Sequence, residues 1–132
     1  MGLMSLRKAI LLNGLLWGIG HAPLIYFGFN YGEGYWGAPF TGILLMSFCL
    51  TFYGVWLSYV TIKSSSIIPA TIMHGSVNML SILPGFVALS NVSVLLGPDV
   101  TGLIGMSCLV SGSIVLLILL KNMSSEIFLA DI

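Results

Sequence analysis

Long uncharged runs separated by single charges set the pattern of this chain. From Lys8 to Glu33 there are 24 uncharged residues, from Glu33 to Lys63 there are 29, from Lys63 to Asp99 there are 35, and from Asp99 to Lys121 there are 21. A membrane-spanning helix needs about 20 apolar residues, so each run holds one span and none comfortably holds two. The pattern predicts four helices, near Ala9–Phe29, Phe40–Ile62, Ile67–Leu89 and Thr101–Leu120. Composition points the same way: the chain is 58% hydrophobic and 6% charged, with a mean hydropathy of +1.09, where a soluble domain carries roughly 25% charged residues. Such a chain cannot cover a water-facing surface, and need not if lipid is its solvent. The 132 residues are expected to form a single membrane domain, an all-α polytopic helical bundle.

The few charges add orientation. Arg7 and Lys8 precede the first span, Lys63 lies between the second and third, and Lys121 follows the fourth. With four spans these positions share one side, and the opposite loops carry only Glu33 and Asp99. The positive-inside rule then places both termini in the cytoplasm, in a multi-pass protein of the plasma membrane. The formal net charge is zero, with no basic patch for nucleic acid. Arg7-Lys8 followed by Ala9–Leu16 looks like the start of a signal peptide, but the apolar stretch runs on to Phe29 without a small-x-small cleavage site. Cys49 and Cys108 fall within spans and read as small packing residues.

Local signals punctuate the spans. The segment Asn30–Pro39 is rich in glycine and holds Tyr31, Tyr35 and Trp36, aromatics that suit a membrane interface. Ser64-Ser65-Ser66 is an N-cap cluster for the third helix, and Pro69 sits in its first turn, where a missing N–H costs little. Pro84-Gly85 is expected to kink that helix near its outer end. Asn91–Asp99 reads as a second external loop, and Asn122–Ile132 as a short cytoplasmic extension. Gly14 and Gly18, four residues apart, let another helix approach closely, which reads first as ordinary packing.

Two ionisable groups lie inside predicted spans, His21 and His74. Such groups are expensive in lipid and point to function. Asn78 stands one turn after His74 and Trp17 one turn before His21, each pair sharing a helix face. At about 1.5 Å per residue, His21 lies about 18 Å from the cytoplasmic end of its helix, His74 about 10 Å and Asn78 about 16 Å. Direct contact between the first and third helices would bring the three together. The plainer reading is that each histidine hydrogen-bonds a neighbouring helix and glues the bundle; two at similar depth, with an asparagine on the same face, favour a site. Catalytic zinc usually takes three protein ligands, more than two histidines supply. A proton relay or a Ser-His-Asp triad lacks a carboxylate, because no Asp or Glu falls within a span. Ser76, Ser81 and Ser107 read as helix–helix contacts.

These residues resemble the motifs of the CPBP family of intramembrane proteases, also called Abi, which includes the type II CAAX-prenyl endopeptidases. Trp17-Gly18-Ile19-Gly20-His21-Ala22-Pro23 is similar to the family's second motif, Phe-x-x-x-His, with Trp17 in the place of Phe. His74-Gly75-Ser76-Val77-Asn78 is similar to its third, His-x-x-x-Asn, with Ser66 and Pro69 in the usual approach. The resemblance implies a membrane endopeptidase acting on membrane-associated or prenylated peptides. It implies catalytic roles for His21, which helps polarise a water, and for His74 and Asn78, which orient the site and stabilise the oxyanion. It leaves a divalent metal cofactor open. The family's first motif, Glu-Glu-x-x-x-Arg, supplies a glutamate that activates the water, and it is absent here: only Arg7-Lys8 precede the first span, and Glu33 and Glu126 lie elsewhere.

Without that glutamate the chain has stabilisers but no base, and little or no peptidase activity is expected of it alone. The intact His21, His74 and Asn78 favour the C-terminal part of a family member over a degenerate one, with further helices or another chain supplying the glutamate. A non-catalytic membrane protein, acting in bacteriocin immunity or as a scaffold, is the alternative. A part of a small transporter is a third.

Overall fold

The computed structural model describes residues 4–81, 83, 93–97 and 99–130, with side chains as far as 121. Its elements are all helical: α1 Leu6–Gly20, α2 Ala22–Tyr26, α3 Phe40–Ser64, α4 Ile68–Leu80 and α5 Met106–Ala130. Leu6–Tyr26 and Phe40–Ser64 are long and apolar enough to cross a membrane. The all-α membrane bundle expected from the hydropathy pattern is the architecture observed. Of the third span, residues 82 and 84–89, with Pro84-Gly85, lie outside the described residues, as do residues 91, 92 and 98 of the loop Asn91–Asp99.

α3 is the centre of the bundle, and α1, α4 and α5 all pack on it. The interface with α1 is made by glycine. A Cβ on Gly14 would meet the Cα of Thr51 at 2.7 Å, and one on Gly18 would collide with the Cα of Ser47. The two backbones touch along this line, as small residues permit between membrane helices. Gly14 and Gly18 are therefore the contact surface of α1 with α3.

The cores lie at the two ends of α3. Ile25, Tyr31, Met46, Leu50 and Tyr53 form one cluster, and Ile10, Val55 and Leu120 the other. Leu16, Leu44, Ile72 and Ile118 face outward, as expected where the surroundings are themselves apolar. Ser113 is fully buried, its hydroxyl 2.7 Å from Leu109 O within α5 and 3.1 Å from Phe52 O of α3, sharing one proton between the two helices.

Several expectations need correction. The first span is not one straight helix. Pro23 has no N–H to continue the ladder and its ring crowds the preceding turn, so α1 ends at Gly20 and α2 begins at Ala22. The fourth helix starts at Met106, not near Thr101, and runs on past Lys121 to Ala130, through the segment expected to be an extension. Its start is delayed because residues 95–97 and 99–104 belong to a strap: Leu103 N–H donates to Leu95 O, and Gly102 is packed against the backbone of Gly97. Tyr31 is buried in the core, and of the three loop aromatics Trp36 is the most exposed. Cys49 is buried but Cys108 is exposed. Ser76 is exposed, and the hydroxyls of Ser81 and Ser107 bond within their own segments, to Asn78 O and Ile104 O. They bridge no helices. At the start of α4 the N-cap position is Ile67 rather than a serine, but Ser66, just before it, accepts the Ile68 N–H on its Oγ at 3.2 Å, and Pro69 sits in the first turn.

Candidate active site

The break between α1 and α2 shapes the first site residue. His21 occupies the joint, with φ −80° and ψ −9°. Its backbone N–H turns to Gly18 O at 3.0 Å rather than continuing the α-helical ladder to Trp17 O. The imidazole takes over the freed carbonyl, with Nδ1 3.0 Å from Trp17 O. A carbonyl oxygen can only accept, so Nδ1 carries the proton. In the neutral ring this leaves Nε2 as an acceptor for the cavity. The helix break at Pro23 thus bears on which nitrogen of His21 is left free.

His74 and Asn78 follow from the regular geometry of α4, one turn apart on a common face. His74 is half-buried and Asn78 exposed. The indole of Trp17 lies edge-on to both imidazoles, its ring centroid 6.1 Å from that of His21 and 5.3 Å from that of His74. Tyr53 completes the aromatic packing, 6.2 Å from His74 and 5.9 Å from Trp17. Its hydroxyl donates to Met73 O at 3.1 Å, fixing α4 on α3 just before His74. Tyr53→Phe is expected to lower stability by about 1 kcal/mol, the usual contribution of such a bond, as measured by thermal unfolding in detergent.

A cavity of about 300 Å³ unites these groups, with His21, His74 and Asn78 on its walls and Tyr53, Leu50 and Met46 of α3 as its floor. Among the described residues the backbones of α1 and α4 each approach α3 and not one another. The two helices meet through side chains, the Trp17 indole of α1 packing on the His74 imidazole of α4 across the cleft that holds the site. A second, apolar groove of about 450 Å³ runs along the same cleft between Leu6, Ile10, Ile62 and Ala70 and ends on His74.

The strap also joins this site, which nothing in the local pattern of residues 95–104 indicates. Val100, Thr101 and Cys49 line the cavity, as does Asn30, which has a φ of 70°. Cys49 Sγ lies 3.5 Å from Val100 O, and Tyr31 donates its hydroxyl to Thr101 O at 3.2 Å. Burial pushes the Tyr31 phenol well above its usual pKa, so it stays a donor. Glu33 is elsewhere, beside Gly28 in the glycine-rich loop, and the side chain of Glu126 is outside the described residues.

The donor set does not fit a catalytic metal. The two imidazoles flank an indole, Nδ1 of His21 is engaged by a carbonyl, and no group of three His, Cys, Asp or Glu comes together among the described residues. Zinc sites of the catalytic kind need three such ligands.

A chain with two imidazoles and an amide around a cavity between apolar helices has the parts of a hydrolase site in a membrane bundle. The family comparison agrees. Residues 2–80, which carry α1 to α4 and both histidine motifs, match the family described as Type II CAAX prenyl endopeptidase Rce1-like. The chain belongs to that family of membrane endopeptidases. No curated protein and no solved structure matches it.

Proposed function

We propose that the cavity is the water-handling part of a CAAX-type endopeptidase site, in which His21, His74 and Asn78 act on the water and the peptide carbonyl. The observation that carries this reading is the convergence on one cavity of His21, from the joint of α1 and α2, with His74 and Asn78, from α4. His21, with Nε2 left free, can accept a hydrogen bond from a water. His74 and Asn78 supply N–H donors for the oxygen that gains charge as water adds to a peptide carbonyl. The apolar groove ending on His74 suits the lipid-like part of a prenylated or membrane-associated peptide. In this reading the 132 residues are one multi-pass domain in the plasma membrane, with both termini cytoplasmic by the placement of Arg7, Lys8, Lys63 and Lys121.

A second reading is a membrane protein of the same family that binds without cutting, in bacteriocin immunity or as a scaffold. It is favoured by one observation: no carboxylate lines the cavity among the described residues. The two are separated by cleavage of a prenylated peptide in detergent, by this chain alone and joined to the in-frame sequence encoded upstream. Cleavage by either that depends on His21 supports the endopeptidase. Turnover unchanged in His21→Ala rules out the assigned site, and binding of the peptide without turnover by both chains supports the second reading.

A further inference from the structure

Asn30 lines the same cavity as His21, His74 and Asn78, and it is exposed. It stands at the centre of a three-residue turn, with a φ of 70° and the Tyr31 N–H donating to Phe29 O at 2.9 Å. A turn closed in this way at a positive φ is rare and strained for a residue with a side chain. The next residue holds it in place: Tyr31 is buried in the core and donates its hydroxyl to Thr101 O on the strap.

The same loop shows what the chain does where only the turn matters. Its other left-handed positions, Gly28, Gly32, Gly34 and Gly37, are all glycine, the residue that adopts them without steric cost. None of those glycines lines the cavity. Asparagine is the usual exception at such positions, because its side chain can bond the local backbone. Asn30 does not use it so. The side-chain hydrogen bonds of this loop come from Tyr31, Tyr35 and, at its end, Thr41, and among the described residues the Asn30 carboxamide makes none. A free carboxamide kept in a strained turn, where glycine would serve the backbone better, points to a group that enters the cavity.

We propose that Asn30 is a substrate-binding residue that holds the main chain of the peptide in this cavity. The inference rests on the endopeptidase reading and deepens it. A carboxamide presents an acceptor oxygen and an NH₂ donor, the pair that meets the N–H and C=O of a peptide group. His21, His74 and Asn78 serve the water and the carbonyl that reacts, so the peptide group held by Asn30 is a neighbouring one. Such a contact is the same before and during the reaction, so its loss raises KM and leaves kcat. It touches no substrate side chain, so its effect is alike for peptides of different sequence.

Asn30→Gly keeps the turn and removes the carboxamide. The probe is a fluorescein-labelled peptide farnesylated on cysteine, its binding to the full chain in detergent followed by anisotropy. Asn30→Gly is expected to weaken binding by about 2–12-fold, the effect of one neutral hydrogen bond, and to unfold at the parent temperature or higher. Undiminished binding overturns the proposal. A lowered unfolding temperature assigns the carboxamide to holding the loop and overturns it too. Peptides with single ester bonds in place of successive peptide bonds locate the contact. One ester is expected to weaken binding to the parent chain and to cost nothing further in Asn30→Gly, because both changes remove the same bond. Equal losses in the two chains for every ester overturn the proposal. In the peptide assay of the chain joined to its upstream sequence, turnover lost in His21→Ala with KM unchanged in Asn30→Gly defeats this inference alone. Turnover unchanged in His21→Ala defeats the endopeptidase reading itself, and a peptide bound by neither the chain nor its joined form defeats both.

Discussion

His74→Ala is expected to reduce peptide turnover by about 10²–10³-fold, the usual consequence of removing one preorganised donor from a developing oxyanion. The fold should survive the change. His74 is half-buried, and among the described residues its ring makes aromatic contacts with Trp17 and Tyr53 without a side-chain hydrogen bond. Helix content by circular dichroism and the unfolding temperature in detergent should stay close to those of the parent. Asn78→Ala is expected to follow the same pattern, since Asn78 is exposed on the same face of α4. His21→Ala differs in kind, because it removes the side chain that satisfies Trp17 O at the helix joint. A loss of about 1 kcal/mol should accompany its loss of turnover. If His74→Ala turns over peptide at the parent rate, the cavity is not the reaction site.

The largest effect on stability is expected at Gly18. A methyl group there meets the Cα of Ser47, a backbone atom of the central helix with no rotamer to move. Overpacking of this sort costs about 1–3 kcal/mol, and the upper end is expected because α1 and α3 would have to part. Gly20, two residues later, is the control: nothing lies within 4 Å of a Cβ built on it. Gly20→Ala should be neutral or stabilising by about 0.5 kcal/mol through helix propensity alone. Thermal unfolding of the two variants in one detergent gives the comparison. Equal stability of Gly18→Ala and Gly20→Ala would show that α1 and α3 do not meet along this glycine line.

The parts of the site that could be read in advance were those with short-range periodicity. His74 and Asn78 share a face because they are four residues apart on a helix, and no tertiary information is needed to know it. His21 was legible as an ionisable group in an apolar run, and the family resemblance agreed with the match over residues 2–80. Its hydrogen bond to Trp17 O was not, because it depends on how Pro23 breaks the ladder at this joint. Tyr53 was invisible for a different reason: in a uniformly apolar helix nothing distinguishes the residue that meets His74 from its neighbours. The first and third helices meet through side chains, Trp17 on His74, while their backbones pack on α3, and the sequence could not tell the two kinds of contact apart.

The sequence by itself determined that this is a helical protein with lipid for a solvent. The energy of taking bare backbone into hydrocarbon is so large that long uncharged runs have few alternatives. It also determined which polar groups are candidates, since few groups other than backbone amides break those runs. Only the tertiary structure decided that His21 and His74 face one cavity across a cleft rather than separate neighbours. It alone decided that Val100 and Thr101, which by position belong to a loop, line that cavity. Those arrangements depend on contacts between residues far apart in the chain, such as Tyr31 with Thr101 and Cys49 with Val100. Local periodicity carries no record of them.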